Sequence, residues 1–174
     1  MSLISNIQQK QRINSGGSID RSSTINFKFD GKLLTGYRGD TLASALLANN
    51  IKLVARSFKY HRPRGIFSAG TEEPNALVTL RTGSREEPNT RATNIELFEG
   101  LEAKSQNRWP NLVFDFMQIN NLASPLLTAG FYYKTFMGIP GWHFYEHFIR
   151  KAAGMGSTKL KRDPDTYDKK HTFC

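Results

Sequence analysis

Residues 24–49 run Thr24-Ile25-Asn26-Phe27-Lys28-Phe29-Asp30-Gly31-Lys32-Leu33-Leu34-Thr35-Gly36-Tyr37-Arg38-Gly39-Asp40-Thr41-Leu42-Ala43-Ser44-Ala45-Leu46-Leu47-Ala48-Asn49. Ile25, Phe27 and Phe29 alternate with Asn26 and Lys28, which is the period of a strand with one buried face. Asp30-Gly31 follows, a dipeptide suited to the two positive φ angles of a type I′ turn. Leu33 to Thr35 therefore returns antiparallel, and residues 24–36 form a hairpin. Asp40, just after Gly39, is placed to cap a helix over residues 40–49. Leu42, Ala45, Leu46 and Asn49 fall at helical spacing, so Leu42 and Leu46 face a core. Asn49-Asn50 supplies the stop.

Beyond this unit, Ile51 to Val54 is short, apolar and extended. Asn75 to Leu80 and Ala92 to Phe98 are expected as two more strands, separated by Thr82-Gly83-Ser84 and a polar run to Thr90. Strand, strand, helix, then further strands predicts an α+β domain over residues 24–100, with one main helix across a mixed sheet. Residues 1–23 precede it as a polar arm, loosened by Gly16-Gly17. From Leu101 to Ala153 the chain turns aromatic, with Trp109, Phe114, Phe116, Trp142, Phe144, Tyr145 and Phe148 among others. Two or three short helices are expected there. Pro125 and Pro140 sit near helix starts, and the last helix spans about Gly141 to Ala153. Left alone, this helical extension would expose a large apolar patch, which implies a partner surface. Residues 154–174 form a basic, turn-rich linker.

A chain of 174 residues supports one ordinary domain with extensions. Its net charge of +9 admits a solvated surface, a basic docking face or an anionic partner. No nucleic-acid motif accompanies the charge, so nucleic acid is not the expected partner. Cys174 is the one cysteine, which rules out intrachain disulfides and a cysteine-based metal site. The first twenty residues hold no apolar signal segment, and no apolar run reaches the roughly 18 residues of a membrane span. A cytoplasmic, non-membrane protein is expected.

The stretch Arg56-Ser57-Phe58-Lys59-Tyr60-His61-Arg62-Pro63-Arg64-Gly65 carries the chemistry. Arg56, Lys59, Arg62 and Arg64 either grip a phosphate, which Arg forks match, or pair with Glu72, Glu73 or a partner's acids. Lys59, His61, Arg62 and Arg64 are thus the candidates for phosphate or interface contact. His61 has no second ligand at metal spacing and is expected to be structural. His143 and His147 share a helix face but lack further ligands. Glu72-Glu73 and Glu86-Glu87 are expected as solvated or ion-paired charge. No residue set points to a catalytic or metal centre.

Asp30-Gly31, Gly39 to Asn49, Arg56 to Ile66 and Glu72 to Val78 together resemble the N-terminal part of the alpha subunit of heterotetrameric sarcosine oxidase. The resemblance spans most of the chain, and that subunit is several times longer. It implies a β-grasp, ferredoxin-like domain that lacks cluster ligands. The plant-type ferredoxin spacing C-x4-C-x2-C, laid on this loop, puts the ligand positions at Phe67, Glu72, Asn75 and, distantly, Ala92, none of them cysteine. The resemblance further implies oxidative demethylation of sarcosine to glycine with oxygen and tetrahydrofolate. The whole complex would hold FAD, FMN and NAD, and none of their binding motifs lies in this chain. The expected partners are the rest of the alpha subunit and the beta, gamma and delta subunits. The segment is expected to be inactive alone, a scaffold leading through residues 154–174 towards a dinucleotide-binding domain. A subunit of a related secondary-amine dehydrogenase and a free-standing basic nucleic-acid-binding module are the alternatives.

Overall fold

Strands β1 (Asp20–Phe29) and β2 (Lys32–Arg38) form the expected hairpin, with Phe29 opposite Lys32 and Phe27 opposite Leu34. The structure is a computed structural model, described over residues 9, 11–125, 130, 138–152, 156–157 and 159–170. Asp30 and Gly31 both take positive φ, 49° and 79°, as a type I′ turn demands. β1 starts at Asp20, earlier than the alternation indicates. A register shift between Asp20 and Thr24 interrupts the pairing there, and the Asp20 carboxylate accepts from the Ser22 backbone N–H at 3.0 Å.

Helix α1 (Leu42–Ala48) follows. Its N-cap is Thr41 rather than the expected Asp40. Thr41 Oγ1 accepts from the Ser44 N–H at 3.1 Å, and Ser44 Oγ accepts from the Thr41 N–H at 3.0 Å, a reciprocal capping box. Asp40 is buried beside it and does a different task. Its carboxylate accepts from the Tyr37 N–H at 2.9 Å, from Ser44 Oγ at 2.7 Å and from Arg12 Nη2 at 2.6 Å. The N-terminal arm is therefore tied to the helix start by its own Arg12.

Two short strands, β3 (Ala55–Arg56) and β4 (Pro63–Arg64), pair antiparallel and close the basic loop. The main sheet is completed by β5 (Leu77–Leu80), β6 (Glu87–Arg91) and β7 (Glu102–Ser105). Its order is β2-β1-β7-β5-β6. β7 runs parallel to β1, with Lys28 opposite Glu102, and antiparallel to β5. The mixed sheet with one helix against it is the α+β architecture expected.

One expected strand is absent, and one strand, β7 at the centre of the sheet, lies beyond residue 100 in the stretch expected to be helical. Ala92–Asn94 is a 3-10 turn, and beyond it only an isolated bridge joins Glu96 to Thr41. Ala92 and Leu97 are nevertheless buried in the core. Their apolar pattern marked burial, not extended pairing. β5 pairs on one side with β7 and on the other with the polar edge strand Glu87-Pro88-Asn89-Thr90-Arg91, which carries no hydrophobic alternation.

The core lies between α1 and the sheet. Phe27, Phe29, Leu34, Leu42, Leu46, Val54, Val78, Leu80, Leu97 and Leu101 belong to it. At Gly36, a Cβ would fall 2.3 Å from Leu97 Cδ2 and 3.1 Å from Ala45 Cβ. Only glycine lets β2 approach the helix this closely.

The extension contains a 3-10 helix (Phe116–Asn121), capped by the Asp115 carboxylate, and helix α2 (Trp142–Ala152). The α2 boundaries agree with the expected final helix. Expectations for the segment after Pro125 fall mostly outside the described residues. The tail is held against the β5–β6 side: Asn89 donates to the Gly156 carbonyl at 3.0 Å, and Arg85 pairs with Asp165 at 2.6 Å. Among the described residues no helix is long and apolar enough to cross a membrane.

Candidate functional site

The basic loop between β3 and β4 divides into an outer and an inner set of side chains. On the outside, the Tyr60 ring lies under two cations, with Lys59 Nζ at 5.0 Å and Arg62 Cζ at 4.7 Å from its centroid. Both contacts are in cation–π range. Arg62 Nε also donates to Asn121 Oδ1 at 3.0 Å, linking the loop to the 3-10 helix of the extension. Arg64 sits on β4 and is exposed. Lys59 and Arg62 thus meet on one ring, and Arg64 is exposed on the neighbouring strand.

His61 and Arg56 form the inner set. His61 takes a positive φ of 52° and is 2% exposed. Its Nδ1 lies 2.7 Å from Asp115 Oδ2. The other Asp115 oxygen accepts from the backbone N–H groups of Trp109 and Met117, both at 3.1 Å. His61 is therefore packed inside the protein, which fits the structural reading and removes it from the candidates for phosphate or interface contact; its carboxylate partner lies 54 positions away, where local spacing could not disclose it.

Arg56 departs from expectation. Its guanidinium meets no carboxylate among the described residues; it is buried and donates to protein oxygens on several segments. Nε and Nη2 reach the Leu112 carbonyl at 3.0 and 2.8 Å, and Nη2 also reaches the Val113 carbonyl at 3.0 Å. Nη1 reaches the His61 carbonyl at 2.9 Å and Gln118 Oε1 at 3.1 Å. Five donors in a fixed fork suit this strut between loop and extension. Asn107 completes it by donating to the Arg56 carbonyl at 2.9 Å.

Around the strut lies an apolar rim. Trp109, Val113, Phe114, Phe116, Ile119 and Leu122 are each more than half exposed. Phe116 stacks against Trp109 at 5.3 Å and edge-on against Phe114 at 4.8 Å. The rim adjoins the basic loop through the Arg62–Asn121 bond. This matches the exposed aromatic patch expected of the extension.

The next loop holds the larger correction. Glu73, expected to be solvated or ion-paired, is 0% exposed, and its carboxylate pairs with no cation among the described residues. Its Oε2 accepts from the N–H groups of Phe67 at 2.7 Å and Ser68 at 2.6 Å. Its Oε1 accepts from Asn75 at 2.7 Å and Ala76 at 3.1 Å. The loop is fastened outside by Thr93 Oγ1 on the Gly70 carbonyl, 2.7 Å, and by Arg91 Nε on the Glu73 carbonyl, 2.9 Å. Glu72, its neighbour, is exposed as expected.

Burial pushes the Glu73 carboxyl up, but the hydrogen bonds from Ser68, Asn75, Phe67 and Ala76 outweigh it, leaving the group below the ordinary glutamate range. A carboxylate whose folded pKa is depressed contributes stability above its unfolded value. That stability is lost as pH falls through the folded value. We expect the melting temperature to drop below about pH 4.3, and Glu73→Gln to flatten that acid limb. Calorimetry across the acid range checks this, and an unchanged limb in the variant would contradict it.

The chain belongs to the family of 2Fe-2S iron-sulfur cluster binding domains, whose profile matches residues 22–108. The match spans the main sheet and both loops described above. Within that family the chain is similar to the sarcosine oxidase subunit alpha of Rhizobium meliloti (strain 1021), at 59% identity over 165 residues. That alignment takes in 94% of this chain and 17% of the relative, so the chain corresponds to a small part of the relative's length. The subunit alpha of Corynebacterium sp. (strain U-96) is 43% identical over 91 residues, covering 51% of this chain and 9% of that protein. Among solved structures, the crystal structure of L-proline dehydrogenase from P. horikoshii overlaps 50% of this chain and 16% of that one. Its identity is 29% and its TM-score 0.39, too low for structural argument.

The residues present do not fit the cluster for which the family is described. Such clusters need four thiolates, and the chain has one cysteine, Cys174. The loop interior is filled by the Glu73 carboxylate. No group of three or more potential metal ligands forms among the described residues.

Proposed function

We propose that this chain is the N-terminal region of a sarcosine oxidase alpha subunit, serving as a scaffold and subunit interface. The 59% identity over 94% of the chain carries this reading. The parent enzyme would oxidatively demethylate sarcosine to glycine, with oxygen as oxidant and tetrahydrofolate taking the one-carbon unit. FAD, FMN and NAD would be held elsewhere in the complex, by the remainder of the alpha subunit and the beta, gamma and delta subunits. A cytoplasmic location goes with it. On this reading the chain alone is inactive.

Lys59, Arg62 and Arg64 would meet acidic groups of a neighbouring subunit or a flavin phosphate, with Tyr60 and the aromatic rim beside them. His61 would hold the loop's shape from within. Charge reversal, Arg62→Glu with Arg64→Glu in the complete complex, is expected to weaken assembly about tenfold or more, because like charges then face each other. Co-purified subunits and flavin content per alpha subunit are the readouts. Full assembly with normal flavin would sink the interface role.

A further inference from the structure

We propose that residues 67–76 form an anion-binding nest occupied by the chain's own Glu73 carboxylate, which holds the loop in shape in place of an iron–sulfur cluster. Two observations meet here. The matching family is described by its 2Fe-2S cluster, and this loop has no cysteine to hold one. The structure turns the backbone N–H groups of Phe67, Ser68, Asn75 and Ala76 onto Glu73.

Convergent backbone N–H groups in a turning loop make a concavity suited to an anion. An iron–sulfur cluster held by thiolates is anionic, and so is a carboxylate. Four inward donors with nothing to accept from them would carry a heavy desolvation penalty. Glu73 satisfies all four from within a site that water does not reach, being 0% exposed. The segment thus replaces an external anionic ligand with an internal one two residues before Asn75. It follows that the loop keeps its shape without iron.

The test is rescue by a foreign carboxylate. Glu73→Ala removes the internal anion and leaves the nest, and Glu72→Ala, at the exposed neighbour, is the control. In the 174-residue chain, Glu73→Ala is expected to melt about 5–10 °C lower. Formate should restore at least half of that loss, and sodium chloride at equal ionic strength should not. Glu72→Ala should show neither loss nor formate response. The proposal is overturned if the two variants melt alike, or if formate raises wild type and Glu73→Ala equally.

Should Glu73→Ala fail to fold, amide hydrogen exchange of the unaltered chain and of Glu73→Gln decides. The amides of Phe67, Ser68, Asn75 and Ala76 should exchange about tenfold or more slowly than those of Thr71 and Glu72. Glu73→Gln should accelerate those four selectively. Equal exchange across the loop in the unaltered chain would overturn the assignment.

Discussion

Arg56→Ala is expected to lower the unfolding free energy by about 3–5 kcal/mol, because hydrogen bonds from a charged donor are lost and buried carbonyls are left without a partner. Arg56 is 4% exposed, and its guanidinium makes five hydrogen bonds to four acceptors: the carbonyls of His61, Leu112 and Val113, and Gln118 Oε1. Truncation strips these acceptors of their donor and leaves a void between the basic loop and the extension. For a chain of this size the loss corresponds to roughly 6–20 °C in Tm. Arg56→Lys should recover little, since one ammonium cannot span acceptors arranged for a planar fork. Thermal unfolding gives the magnitude. Limited proteolysis gives the place: cleavage should increase first between Trp109 and Asn121, where the strut lands. A variant within about 1 kcal/mol of wild type would show that the strut does not hold the extension.

Leu46→Ala should be comparably severe, at about 2–5 kcal/mol. Leu46 is 0% exposed, on the face of α1 that meets the sheet. Its removal leaves a cavity under a helix of only 7 residues, whose stability comes from packing rather than propensity. Leu47, the next residue, is 40% exposed. Leu47→Ala should cost less than about 1 kcal/mol, because little apolar area leaves water there. Chemical denaturation of both variants tests the helix orientation directly. Equal losses would mean that α1 presents a different face.

The hairpin and helix were legible because each depends on neighbours in sequence. Asp30-Gly31 dictated the turn, and the spacing of Leu42 and Leu46 dictated the buried face. Arg62 and Arg64 were legible as surface cations for the same reason: their exposure needs no distant partner. Strand β6 was not legible. Its residues Glu87 to Arg91 pair at a sheet edge, where backbone bonds suffice and no apolar pattern is required. The apolar Ala92 to Phe98 segment was misread as a strand because burial alone does not specify conformation.

Sequence by itself determined the α+β class, the hairpin, the helix with its core face and the lack of cluster-binding cysteines. Each follows from residue type, spacing or count. Tertiary structure alone decided where the buried charges go. Glu73 and its exposed neighbour Glu72 are the same residue type, and Arg56 stands among cations that stay outside. What separates them is the arrival of acceptors or donors from elsewhere: the Leu112 and Val113 carbonyls for Arg56, Asp115 for His61, and four inward N–H groups for Glu73. Burying a polar or charged group costs free energy unless such partners meet it, and folding brings them there, from far along the chain for Arg56 and His61 and from within its own loop for Glu73.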